Sequence, residues 1–90
     1  MYRVDAMFYT YVLLSEIDGN FYIGYTEDLK KRVEQHQQGL VSSTASKIPY
    51  KLVYYEACIE EQDALAREKS LKTGYGRKYL KRRLENYFNK

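Results

Sequence analysis

The sequence predicts an α+β domain, a small three-stranded and mostly antiparallel sheet flanked by helices in the order ββαβαα. Three short runs are rich in β-branched and aromatic residues, and three other stretches carry helix start and stop signals. No linker, repeat or low-complexity block separates them. Ninety residues are therefore read as one domain over 1–90, with a core at about 8–85 and no room for a second one.

Residues 8–15 (Phe-Tyr-Thr-Tyr-Val-Leu-Leu-Ser) read as the first strand and residues 20–26 (Asn-Phe-Tyr-Ile-Gly-Tyr-Thr) as its partner. Asp18-Gly19 between them favours a tight type I′ hairpin. Thr26 is placed to cap a helix over about 27–38, with Glu27 and Asp28 in its first turn and Gly39 ending it. Residues 40–49 form a Ser/Thr/Lys-rich loop closed by Pro49, and Lys51 to Cys58 is a third strand. Glu60-Glu61 opens a second helix that runs to about Thr73, ahead of Gly74. A third helix covers about 76–88.

Composition narrows the class. Hydrophobic residues at 44% and charged residues at 30% describe an ordinary globular chain, not a disordered one. A single cysteine excludes an internal disulfide and fits a reducing compartment; Cys58, in an apolar stretch, reads as a small buried core residue. The run Val12-Leu13-Leu14 is too short for a signal peptide, and no stretch is apolar enough to span a membrane. A soluble, cytoplasmic protein is expected.

Net charge is only +3, but it is unevenly spread. Residues 1–66 hold six Lys/Arg against ten Asp/Glu, whereas residues 67–90 hold nine Lys/Arg against Glu68 and Glu85. A basic end of this kind fits a polyanion partner, and equally a solvated helix face. Eleven tyrosines and no tryptophan are the other oddity. Most, such as Tyr9, Tyr54 and Tyr55, read as strand and core residues with a wet hydroxyl.

Three polar groups stand where an apolar or indifferent residue is expected. On the second helix, with Ala64 set to 0°, Leu71 falls at about 340° and Glu68 at about 40°. A carboxylate inside the apolar stripe needs a partner or a raised pKa, so Glu68 is a core ion pair or a residue at the rim, or else a metal ligand or a catalytic acid. On the first helix Leu29, Val33 and Leu40 form the inner stripe, and Arg32 and His36, four apart, lie along its edge. An arginine there suits phosphate, whose oxygens match its planar fork.

A tight turn at Asp18-Gly19 pairs residues whose numbers sum to about 37, placing Tyr11 and Tyr22 on one face and Gly24 opposite Leu13. The two phenols are then about 13 Å apart along the strands. A longer loop pairing Tyr11 directly with Tyr22 keeps the same parity and brings them together.

These residues resemble a known family. Tyr22-Ile23-Gly24 is the second signature of the GIY-YIG nucleases, and Tyr9-Thr10-Tyr11 stands where the first is expected, keeping only its final Tyr. Residues 25–36, with Arg32 and His36, resemble the family's first helix. Pro49 with residues 51–56, then Ala64 and Glu68 to Lys72, resemble its third strand and metal-binding helix. Any one tripeptide recurs by chance, but five motifs in order and spacing carry far more. The chain is similar to a small single-domain member, or to the N-terminal nuclease domain of the excision-repair endonuclease.

The resemblance implies a GIY-YIG fold and a metal-dependent endonuclease cutting phosphodiester bonds in nucleic acid, most plausibly DNA. It assigns Glu68 to one Mg²⁺ or Mn²⁺, Arg32 to the phosphate, and Tyr11, Tyr22 and His36 to the surroundings of the attacking water. Tyr11 acting as base with help from His36 is one reading, with Tyr22 orienting the water or lying near the metal. Nucleic acid would be held by the loop 42–47, with Thr44 and Lys47, and by Lys78, Lys81 and Arg82 on the last helix. The alternative is an inactive nucleic-acid-binding or partner-binding module on the same fold. A separate specificity subunit is compatible with either, and oligomeric state is open.

Overall fold

A computed structural model describes residues 6–90. Phe8–Ser15 (β1), Phe21–Thr26 (β2) and Tyr50–Cys58 (β3) form one antiparallel sheet in the order β2-β1-β3. Leu29–Gln37 (α1), Glu61–Leu71 (α2), Gly74–Arg83 (α3) and the short Glu85–Phe88 (α4) are its helices, and Ala45–Lys47 is a 3-10 turn. The α+β class and element order are as predicted, with the last predicted helix divided at Leu84.

β1 is the central strand, and its unbroken apolar run packs on both faces of the sheet. Tyr11 and Leu13 face α1, packing with Tyr22, Tyr50, Leu52, Leu29 and Val33. Val12 faces the other way, with Ile23, against Leu71 of α2 and Leu80 of α3. A shift in the β1–β3 register between Val12 and Leu13 lets Val53 and Tyr54 both pack toward α2 and α3. Two polar ties fix the layers: the Thr10 hydroxyl donates to the Ala64 carbonyl at 2.7 Å, and the Gln37 amide brackets the backbone N–H and C=O of Tyr50.

Several local expectations are corrected. The hairpin is not closed by a two-residue turn at Asp18-Gly19. Residues 16–19 form the loop, with the Ser15 N–H on the Asn20 carbonyl at 3.0 Å and the Gly19 N–H on the Ser15 carbonyl at 2.9 Å. Side chains here compete with the tight turn. The Ser15 hydroxyl accepts from the Ile17 N–H at 3.1 Å and donates to the Lys47 carbonyl at 2.8 Å, while Asp18 accepts from the Asn20 N–H at 3.0 Å. Gly19, at φ +73°, takes the left-handed position the loop needs.

α1 begins later than expected because Asp28, not Thr26, is its cap and accepts from the Lys31 N–H at 3.2 Å. Thr26 instead accepts from the Asp28 N–H at 3.1 Å. The helix ends at Gln37, so Leu40 lies beyond it and is exposed instead of completing the inner stripe. Cys58, expected in the core, is a half-buried free thiol at the end of β3.

Candidate active site at the open edge of the sheet

The site begins with the register of the hairpin. Tyr11 pairs with Gly24, and Leu13 with Tyr22. This is neither register considered from the sequence, because the loop is two residues longer than a tight turn and two shorter than direct Tyr11–Tyr22 pairing requires. The shared face of the two tyrosines is retained. Diagonal neighbours on that face are close, and the Tyr11 and Tyr22 ring centroids are 6.4 Å apart.

Gly24 is what allows this. The Tyr11 ring lies across it toward the outer edge of β2, which has no further strand beside it. A Cβ on Gly24 would fall inside contact distance of the Tyr11 Cζ and hydroxyl, and 2.8 Å from its Cε1. The glycine therefore serves close approach, not a turn.

His36 comes to Tyr11 from α1. It is fully buried, with Nε2 2.8 Å from the Tyr11 hydroxyl and Nδ1 2.7 Å from the Thr44 Oγ1. The Thr44 hydroxyl donates to the Val41 carbonyl at 3.3 Å, leaving its oxygen to accept from a protonated Nδ1. Nε2 then carries the lone pair and accepts from the Tyr11 O–H. Burial, with the Arg32 charge adding to it, lowers the His36 pKa to about 4, so the ring is neutral at pH 7. Burial also raises the Tyr11 pKa, partly offset by the neighbouring Arg32 guanidinium and reinforced by Tyr22 and Glu68. The Tyr11 hydroxyl thus lies where groups from β2, α1 and α2 converge.

Glu68 meets its predicted need for a partner by pairing with Lys72, one turn further along α2, at 3.2 Å. Its side chain is 22% exposed, so the carboxylate stands at the rim of the apolar stripe and not at its centre. Arg32, half-buried, places one guanidinium nitrogen 3.1 Å from the Gln35 amide oxygen. Among the described residues no group of three or more His, Cys, Asp and Glu gathers around Glu68 or elsewhere. A helix carboxylate suits a hard cation that keeps most of its water and takes phosphate oxygens.

The residues expected to hold nucleic acid divide. Thr44 is fully buried on His36 and so is not a surface contact; the 3-10 turn that follows folds it inward. Lys47 is exposed but pairs with Asp18 at 3.2 Å, which ties its loop to the hairpin. Lys78, Lys81 and Arg82 are exposed on α3, as expected. Lys78 and Arg82 line a hollow of about 590 Å³ with Tyr75, Tyr79, Arg83 and Glu85, whereas Lys81 lies outside it. Part of the basic end is already engaged: Arg67 binds Glu56 at 2.8–2.9 Å and covers the Tyr79 ring at 4.6 Å.

Lys72, Arg77 and the true partner of Thr44 escaped the sequence reading. Lys72 was legible, being four residues from Glu68 on one helix. Arg77 lines a second hollow with Tyr22, and nothing in its helical position marks it. The Thr44–His36 contact joins a loop to a helix and has no periodic signal.

A family model described as the GIY-YIG catalytic domain matches residues 7–83. The chain belongs to the GIY-YIG nuclease family, whose members generally depend on a metal. It is similar to the UPF0213 protein of Lacticaseibacillus paracasei, with 44% identity over 62 residues and 68% of each chain covered. It is also similar to the UPF0213 protein SSP2268 of Staphylococcus saprophyticus, with 36% identity, 81% of this chain and 89% of the relative. The solution NMR structure of the UPF0213 protein BH0048 from Bacillus halodurans covers 82% of this chain and is itself covered to 81%, at a TM-score of 0.53 and 28% identity.

Proposed function

We propose that this chain is an endonuclease that hydrolyses phosphodiester bonds in DNA, with one Mg²⁺ or Mn²⁺ held by Glu68. The observation that carries the reading is the convergence on one buried hydroxyl. Tyr11 is hydrogen-bonded to a neutral His36 and lies within the influence of Arg32, Tyr22 and Glu68.

Each residue has a task its surroundings suit. Arg32 binds the phosphate and stabilises the charge that builds on it. The Tyr11 oxygen takes a proton from the attacking water as its own hydrogen passes to His36 Nε2, which ends the step as an imidazolium. Because burial raises the Tyr11 pKa, the phenolate is not the resting form, and this hydrogen bond to His36 is what makes the oxygen a useful acceptor. Thr44 is a positioning residue that fixes the His36 tautomer. Tyr22, beside Tyr11, orients the water. The metal, when bound, supplies charge stabilisation at the phosphate and leaving oxygen.

The test is a cleavage panel of duplex, branched and single-stranded DNA with Mg²⁺ or Mn²⁺, comparing wild type with Glu68→Ala. Wild type should nick, EDTA should stop it, and Glu68→Ala should bind DNA without cutting. Equal cleavage by the variant would sink the ligand assignment. The Lys72–Glu68 ion pair favours a second reading, a binding module whose carboxylate is permanently neutralised. Salt-sensitive binding with no cleavage under any divalent metal would select it.

A further inference from the structure

We infer that Lys72 and Arg77 form a second phosphate-binding subsite, which holds the backbone phosphate adjoining the one that is cut. This rests on the nuclease reading for the word "cut", but not for the binding itself. The subsite is a hollow of about 490 Å³ at the start of β2, lined by Asn20, Tyr22, Leu71, Lys72 and Arg77 among others. That volume accommodates a nucleotide's sugar and phosphate.

Its charge sets it apart from two other hollows. The hollow on α3 includes Glu85, and a third, of about 350 Å³ beside Arg32, includes Glu27 and Asp28. No carboxylate lines the hollow at Lys72 and Arg77, so both its ionisable charges are positive. Asn20 adds an amide donor. Among the described residues Arg77 forms no ion pair, and Lys72 has only Glu68. An anion entering here gains two cations and meets no carboxylate in the lining.

Position makes that anion a neighbour of the reacting phosphate. Tyr22 borders the hollow and stands beside Tyr11 at the candidate catalytic centre. Lys72 borders it too, and its ammonium lies 3.2 Å from the Glu68 carboxylate. The hollow beside Arg32 is at the other end of the same strand, lined by Tyr25 and Thr26. β2 is an open edge of the sheet, so a nucleic-acid strand laid along it passes from Arg77, past Tyr22, to Arg32. Lys72 then has two alternative partners one step apart, the Glu68 carboxylate and the adjoining phosphate.

The test is binding in EDTA, which separates it from catalysis. The ¹⁵N-labelled chain is titrated with a single-stranded tetranucleotide and, separately, with inorganic phosphate. The tetranucleotide should move the amide signals of Tyr22, Lys72 and Arg77. Arg77→Ala should weaken it about 5-fold or more and reduce the slope of log K against log salt by about 0.7, one phosphate contact on a single strand. Arg77→Lys should recover most of both. Shifts confined to Lys78 and Arg82, or wild-type binding by Arg77→Ala, would overturn the proposal. Equal affinity for inorganic phosphate at the same amides would also overturn it, since the hollow would then be a free-anion site. If the tetranucleotide binds here as expected but no metal supports cleavage, the nuclease reading fails and the phosphate site stands.

Discussion

Gly24→Ala tests the packing on which the site depends, because the added methyl group has nowhere to go. Its Cβ would overlap the Tyr11 Cζ and hydroxyl, and Tyr11 is 1% exposed and held by His36. Either the strands part, an overpacking cost of about 1–3 kcal/mol, or the ring moves and leaves the buried Tyr11–His36 pair unsatisfied, about 1–3 kcal/mol again. A loss of about 1–3 kcal/mol is expected, because the chain takes whichever relaxation is cheaper. In a chain this short that lowers Tm by about 10 °C. Urea unfolding at pH 7 measures the loss, and a Tyr11→Leu background isolates its cause. With the ring removed, the cost of Gly24→Ala should fall to about 1 kcal/mol or less, a coupling that separate sites do not show. Equal costs in the two backgrounds would refute the argument that Tyr11 lies across Gly24. Cleavage should fall in Gly24→Ala even where the fold persists, since the hydroxyl is displaced.

Thr44→Val, of nearly the same shape, should cost about 1–3 kcal/mol by orphaning His36 Nδ1, and Thr44→Ser should restore it. The ¹⁵N shifts of the His36 ring should show Nδ1 protonated in wild type; an Nε2–H tautomer would reverse the proton path proposed here. Stability should fall in acid through His36, and the sign follows from its lowered pKa. The unfolded ring protonates near the ordinary 6.5 and the folded ring only near 4, so the stability it contributes is complete above pH 6.5 and lost as pH falls toward 4. The loss is about 3 kcal/mol, and a His36→Gln chain should lose much less across that window in urea titrations, keeping only the share carried by the lowered Asp18 and Glu56 carboxylates. Arg32→Ala should depress cleavage about 10²-fold or more, whereas Lys81→Ala, on the exposed face of α3, should cost only a few-fold in KM. Equal losses would remove Arg32 from the reacting phosphate.

What the sequence determined by itself is local and periodic. Strand alternation put Tyr11 and Tyr22 on one face, and any hairpin register of the same parity does so. Helical projection put Glu68 inside the apolar stripe, where the structure has it at the rim, and Arg32 with His36 on one edge of α1, because those angles depend on spacing alone. The order of five motifs then pointed to the family, which the match over residues 7–83 shows. Tertiary structure decided what joins one segment to another. The loop length, set by the Ser15 and Asp18 side chains, chose Tyr11 opposite Gly24 and brought the phenols together. A loop threonine read as a surface contact turned inward to His36, where a buried ring nitrogen needs a partner more than solvent needs a hydroxyl. Lys72 and Arg77 acquired a shared hollow only when the end of α2 and the start of α3 folded against the open edge of β2. Such meetings depend on the path of the chain between segments, and no repeat in the sequence records that path.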